Sequence, residues 1–182
     1  MTTALVLIDL QNDYFPGGAM ELVAAEDAVT HARTLLQAFR ARALPVFHIQ
    51  HFSTRPGATF FLPGTTGVNF HAAVEPSAGE TVITKHFPSS FRETTLLENL
   101  RAVGASRLVL AGMMTHMCVD TTVRAAADLG FECLLAQDGC ATRALQFSGH
   151  QVDAQQVQLA YLAALNGAFA KVQSAQTIAA GV

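Results

Sequence analysis

Tryptophan is absent from this 182-residue chain and tyrosine occurs twice, so the 12 phenylalanines must supply most aromatic contacts. Charge is scarce. Only 14% of residues are Asp, Glu, Lys or Arg, the net charge is −3, and no basic run occurs, which argues against a nucleic-acid partner. No apolar stretch reaches membrane-spanning length. The N-terminus enters an apolar run directly, without the layout of a secretory leader, so no membrane association and a cytoplasmic location are expected. Three cysteines, Cys118, Cys133 and Cys140, show no C-x-x-C spacing, against a disulfide framework or a structural zinc site. Neither G-x-G-x-x-G nor G-x-x-x-x-G-K-[ST] follows any strand-like run, so the common nucleotide fingerprints are missing.

What is present is apolar. A 51% hydrophobic composition in 182 residues suits a single domain, 1–182, whose strands are covered on both faces. The same composition, with an apolar-aromatic loop at 58–70, predicts a homo-oligomer, a dimer or larger. Runs at 4–8, 44–49, 81–84, 108–111 and 133–136 read as strands, and 169–172 as a sixth. Helical spacing over 27–41, a short helix marked by Leu96, Leu97 and Leu100, a helix from Val119 capped at Gly130, and another over 152–167 alternate with them. Alternation of this kind predicts an α/β fold with a parallel sheet. The irregular segment 50–76 is long enough to be a lid or a subunit contact.

Chemistry concentrates at strand ends. Asp9 follows the first run, Lys85 ends the third, and Cys118 lies where a strand, a tight turn and a helix start are packed together. Sites in parallel sheets form at the carboxyl ends of strands. A lone buried cysteine is ordinarily inert and a lone lysine is ordinarily solvated. Their placement at neighbouring strand ends is what favours function. A helix start is expected to favour the Cys118 thiolate. A base, a cation and a thiol together allow nucleophilic attack on a carbonyl, with turn N–H groups holding the oxyanion. His48, His51 and His71 show no clean metal-ligand spacing.

Three motifs in order resemble the isochorismatase-like cysteine hydrolases, a group that includes nicotinamidase, N-carbamoylsarcosine amidohydrolase, and ureidoacrylate, biuret and streptothricin hydrolases. They are Leu7-Ile8-Asp9-Leu10-Gln11-Asn12-Asp13, Lys85 with Ser90-Phe91, and Gly112-Met113-Met114-Thr115-His116-Met117-Cys118-Val119. The resemblance implies a three-layer αβα fold around a six-stranded parallel sheet. It implies a triad of Asp9, Lys85 and Cys118, a cis Met113–Met114 peptide, and an oxyanion hole from the N–H groups of Met114 and Cys118. Nicotinamidases carry an Asp-x-His metal motif where this chain has Gln50-His51-Phe52. That departure implies no metal and no cofactor, and it puts nicotinamide in doubt as substrate. The expected activity is cysteine-dependent hydrolysis of the C–N bond of a small amide or ureido compound. The expected pocket residues are Phe15, His51, Phe91 and Thr115. The alternatives are an isochorismatase-type vinyl ether hydrolase, which Cys118 disfavours, and a non-catalytic oligomeric module of the same fold.

Overall fold

In the computed structural model, which describes residues 2–182, strand β1 (Thr2–Ile8) forms the centre of a six-stranded sheet. Its last five residues are all buried, because helices cover both faces. The sheet runs β3 (Thr81–Lys85), β2 (Val46–His51), β1, β4 (Ala105–Met113), β5 (Glu132–Ala141), β8 (Lys171–Gln173). Every neighbouring pair is parallel. On one face lie α1 (Ala25–Ala41) and α5 (Ala175–Gly181), whose buried side chains share a core with Leu5, Leu7 and Val109. On the other lie α2 (Leu96–Ala102), α3 (Asp120–Asp128) and α4 (Ala154–Leu165), packed with Val6, Ile8 and Leu110. Alternate residues of β1 thus serve opposite layers, as the twofold strand repeat requires. No helix among the described residues is long and apolar enough to cross a membrane.

The strand order reverses direction between β1 and β4, the crevice where open parallel sheets place ligands. Gly112 lets these strands approach. It has φ +141, and a Cβ there would collide with the backbone oxygen of its pairing partner Ile8. The sequence reading breaks the strand at Gly112; the structure carries it through to Met113, with an irregularity in the β5 register instead.

Two elements differ from expectation more substantially. A hairpin, β6 (Leu145–Phe147) and β7 (His150–Val152), stands apart from the main sheet, and α5 follows β8. Each strand is only three residues long, too short for alternation to register, so pattern reading misses them. The 58–70 loop also behaves differently from a surface contact. Phe61 and Val68 are buried within their own chain, Leu62 is the large apolar side chain of this loop that is exposed, and the most exposed one, Phe147, lies elsewhere.

One partly exposed cluster, with buried His48 at its inner end, fastens β2 to the turn before β3. Glu80 accepts two bonds from Arg40, at 2.7 and 2.8 Å, one from the Ser77 N–H at 2.8 Å, and one from His48 Nε2 at 2.8 Å. Burial pushes the Glu80 carboxyl up, but Arg40, Ser77 and His48 outweigh it and bring its pKa down to about 2. Burial holds His48 below its usual range, so it is neutral and donates through Nε2. Glu80→Gln is therefore expected to cost roughly 1–3 kcal/mol at pH 7, discounted for the half-exposed Arg40. A carboxyl with a lowered folded pKa stabilises fully above its unfolded value and loses that contribution as pH falls through the folded one. The gap between native protein and variant in urea unfolding should thus narrow from pH 4.5 toward pH 2. A gap that is absent at pH 7 would contradict this account.

Candidate active site

Asp9 leaves β1 at φ +51, an uncommon conformation for a residue with a side chain. Its N–H bonds to the Ile49 carbonyl on β2 and its carbonyl accepts from the Gln11 N–H, so the turn is held at both ends. Lys85 is the last residue of β3, two strands away. Cys118 sits in a π-turn, Thr115–Val119, which connects β4 to α3. The Met113–Met114 peptide at its start is cis.

These three side chains meet at the Lys85 ammonium. Nζ is 2.7 Å from Asp9 Oδ2 and 3.1 Å from Cys118 Sγ, and it also lies 2.9 Å from His51 Nδ1 and 3.1 Å from the Phe87 carbonyl oxygen. An ammonium has three protons, and four acceptors surround this one. Asp9 and Lys85 are fully buried and Cys118 is 6% exposed. Asp9 Oδ1 has no hydrogen-bond partner. The Asp9, His51 and Cys118 donor atoms lie within 4.8 Å of one another, a spacing that would suit a metal ion. They are already gathered on the Lys85 ammonium, so a divalent ion at that point would meet a fixed positive charge.

The electrostatics correct the thiolate expectation. Burial and the Asp9 charge push the Cys118 thiol up to about 12, and Lys85 only partly opposes them. Burial also raises the Asp9 carboxyl despite its lysine. Burial works against the Lys85 charge as well, but Asp9 and Cys118 outweigh it and hold the ammonium above its usual range. One cation thus stands beside two groups that can each become an anion, and the pocket favours only one anion at a time. The remaining proton belongs to the carboxyl–thiol pair.

A cavity of about 450 Å³ opens onto Cys118. Tyr14, His51, Phe60, Phe61, Phe87 and Met114 contribute to its wall. Of the four expected pocket residues, only His51 lines it. Phe15 is buried behind it and stacks on His71 with ring centroids 4.1 Å apart. Phe91 stacks on Phe131. Thr115 is buried and donates to the Ala141 carbonyl at 3.1 Å, pinning the π-turn to β5. Ser90 tethers the turn after Lys85 to α3, its N–H donating to Thr122 Oγ1 at 3.0 Å.

Three residues escape the sequence reading. Tyr14 lines the cavity although it reads as a loop residue. Buried Gln11 clamps His51 as a second strand would, accepting its N–H at 2.7 Å and donating to its carbonyl at 3.0 Å. Asp13 accepts from the Phe61 N–H at 2.5 Å and the Ala19 N–H at 3.2 Å, drawing the 53–61 loop over the site. A run of Gln, Asn and Asp after a strand that is buried on both faces is the signal available for the last two.

An isochorismatase domain matches residues 3–177. The chain is 48% identical to the uncharacterized isochorismatase family protein YddQ of Bacillus subtilis, over 97% of this chain and 98% of that one. It is 34% identical to a streptothricin hydrolase of Streptomyces noursei, over 76% of this chain and 49% of the relative. A crystal structure of an isochorismatase-like protein from Oleispira antarctica superposes with a TM-score of 0.95 at 47% identity, covering 99% of this chain and 97% of that one. More distant relatives include a nicotinamidase of Arabidopsis thaliana and the maleamate amidohydrolase of Pseudomonas putida. With its six-stranded parallel sheet, its three converging strand ends and a family match over nearly its whole length, the chain belongs to the isochorismatase family of hydrolases.

Proposed function

We propose that this hydrolase cleaves the C–N bond of a small amide or ureido compound through a thioester on Cys118. The observation that carries this reading is the Lys85 ammonium held between the Asp9 carboxylate and the Cys118 sulfur. The amide-cleaving relatives support it. Asp9 takes the thiol proton as the sulfur attacks the carbonyl carbon, and Lys85 stabilises the anion through the transfer. The N–H groups of Met114 and Cys118, both residues of the cavity wall, hold the tetrahedral oxyanion. Asp9 then returns the proton to the departing amine, because an amide anion is a very poor leaving group. Water, activated by the same carboxylate, attacks the thioester, and the acid leaves with the thiol restored. No step requires a metal ion.

A screen of small amides for ammonia release, followed by mass spectrometry of the acid-quenched enzyme, tests this. The expected adduct on Cys118 has the mass of the substrate minus its amine. Turnover with an adduct on another residue along the productive path would defeat the mechanism.

A further inference from the structure

Two side chains of the cavity wall have a hydrogen-bonding capacity that the proposed chemistry leaves unused. Lys85 offers only donors, so His51 Nδ1, 2.9 Å from its Nζ, must present a lone pair. The His51 proton therefore sits on Nε2. Burial, with the charge of Lys85, lowers the His51 pKa to about 3, so the ring stays neutral near pH 7 and keeps this tautomer. Gln11 fixes its backbone on both sides. His51 Nε2 has no protein partner among the described residues, and the ring lines the cavity. Tyr14 is 1% exposed, lines the same cavity, and its hydroxyl also has no protein partner among the described residues. Burial and the neighbouring Cys118 and Asp9 hold its pKa well above the ordinary value, so it too remains a donor. The hydroxyl is not sealed from the cavity, so a ligand or water can take up its unused proton. The walls around them, Phe60, Phe61 and Phe87, are apolar.

We propose that His51 and Tyr14 form a donor pair that reads a second oxygen acceptor on the substrate, a carbonyl or carboxylate besides the scissile carbonyl. This rests on the amidohydrolase reading and adds the substrate class. Amides with an oxygen-bearing arm are preferred over alkyl amides of the same shape. A site built to hydrogen-bond an oxygen discriminates strongly against an analogue that leaves the donors unpaired. Arg55, an exposed cation on the cavity wall with no ion-pair partner among the described residues, adds attraction when that oxygen belongs to a carboxylate.

The test uses matched amides: acetoacetamide against butyramide for a ketone, and succinamic acid against 4-methylpentanamide for a carboxylate. The native protein should favour the oxygenated member of at least one pair by tenfold or more in kcat/KM, and the pair that responds identifies the oxygen. Tyr14→Phe keeps the ring and removes only the hydroxyl. It should lower kcat/KM for the favoured amide about tenfold and leave its alkyl partner within about twofold, whereas a structural role would lower both alike. Equal rates within both pairs, or a preference untouched by Tyr14→Phe, overturn the inference and leave the amidohydrolase reading standing. No ammonia from these or any other amide defeats that reading itself. A second measurement needs no turnover. Nitrogen-15 NMR of histidine-labelled protein should show His51 with its proton on Nε2 from neutral pH down to pH 4. A proton on Nδ1 would overturn the donor assignment whatever the activity.

Discussion

Cys118→Ala should release no detectable ammonia from any amide the native protein hydrolyses, a loss on the order of 10⁴-fold or more. The sulfur is the proposed nucleophile among the groups around the Lys85 ammonium, with Asp9 as the proton acceptor and His51 Nδ1 only taking a hydrogen bond from Nζ. Its removal leaves Asp9 and Lys85 paired at 2.7 Å, so the electrostatic frame survives while the attacking atom is gone. The substitution should also be tolerated, because it deletes one small atom bordering an open cavity rather than a packed core. An unchanged melting curve together with abolished turnover is the expected pattern. Turnover that persists in this variant would sink the thioester route and favour a thiol-free reaction, such as cleavage of a vinyl ether.

Lys85→Met should be the most destabilising single change in the site, at about 3–5 kcal/mol, because it leaves the Asp9 carboxylate buried without its counter-charge. Methionine fills the space of the lysine stem, so the cost is electrostatic rather than a void. Asp9→Asn should cost less, since the ammonium keeps His51, the Phe87 carbonyl and the Cys118 sulfur. Combining the two neutralises the pair, and the double variant should be more stable than Lys85→Met alone. All three should be inactive, with the double variant no slower than the worse single, because residues that act as one unit are non-additive. Urea unfolding of the four proteins at pH 7 measures the cycle. If Lys85→Met cannot be purified folded while the double variant can, the sign is established without a full titration. Losses that simply add would show that Asp9 and Lys85 are not coupled.

The two halves of this site were unequally legible in the sequence. Asp9, Lys85 and Cys118 stand at the ends of apolar runs, and the register of a parallel sheet then brings them to one edge. The pocket wall carries no such periodic mark. Tyr14 and Phe15 are adjacent in the same loop, yet one lines the cavity and the other stacks on His71 behind it. Beside them, the Asp13 carboxylate binds the backbone N–H groups of Ala19 and Phe61, a long-range tie that no local pattern announces. Thr115 and Phe91 lie off the cavity wall for a related reason: both brace the turns next to Cys118 and Lys85, and bracing needs the same conspicuous residue types as binding. The thiolate expectation weighs the helix end alone, whereas burial of the thiol itself and then the Asp9 charge push its pKa the other way. The sheet and most of its helices were readable from hydrophobic spacing. The β6–β7 hairpin, three residues a side and mostly exposed, is too short and too polar to leave a trace of that kind.

The clustering of partners around one ammonium has a consequence for how the chain reaches its active form. Asp9 arrives with β1, His51 with β2, Lys85 with β3 and Cys118 with the turn beyond β4, so the cluster has no local precursor anywhere in the chain. Docking the carboxylate before the lysine, or the lysine before the carboxylate, buries an isolated charge in a dry crevice. Partly assembled sheets are penalised until both have arrived, and pairings that would bury the wrong residue at this edge are penalised in every register. The buried Asp9 and Lys85 charges therefore also act as a proofreading step on its topology. Assembly of the cluster and correctness of the central strand order arrive in the same event.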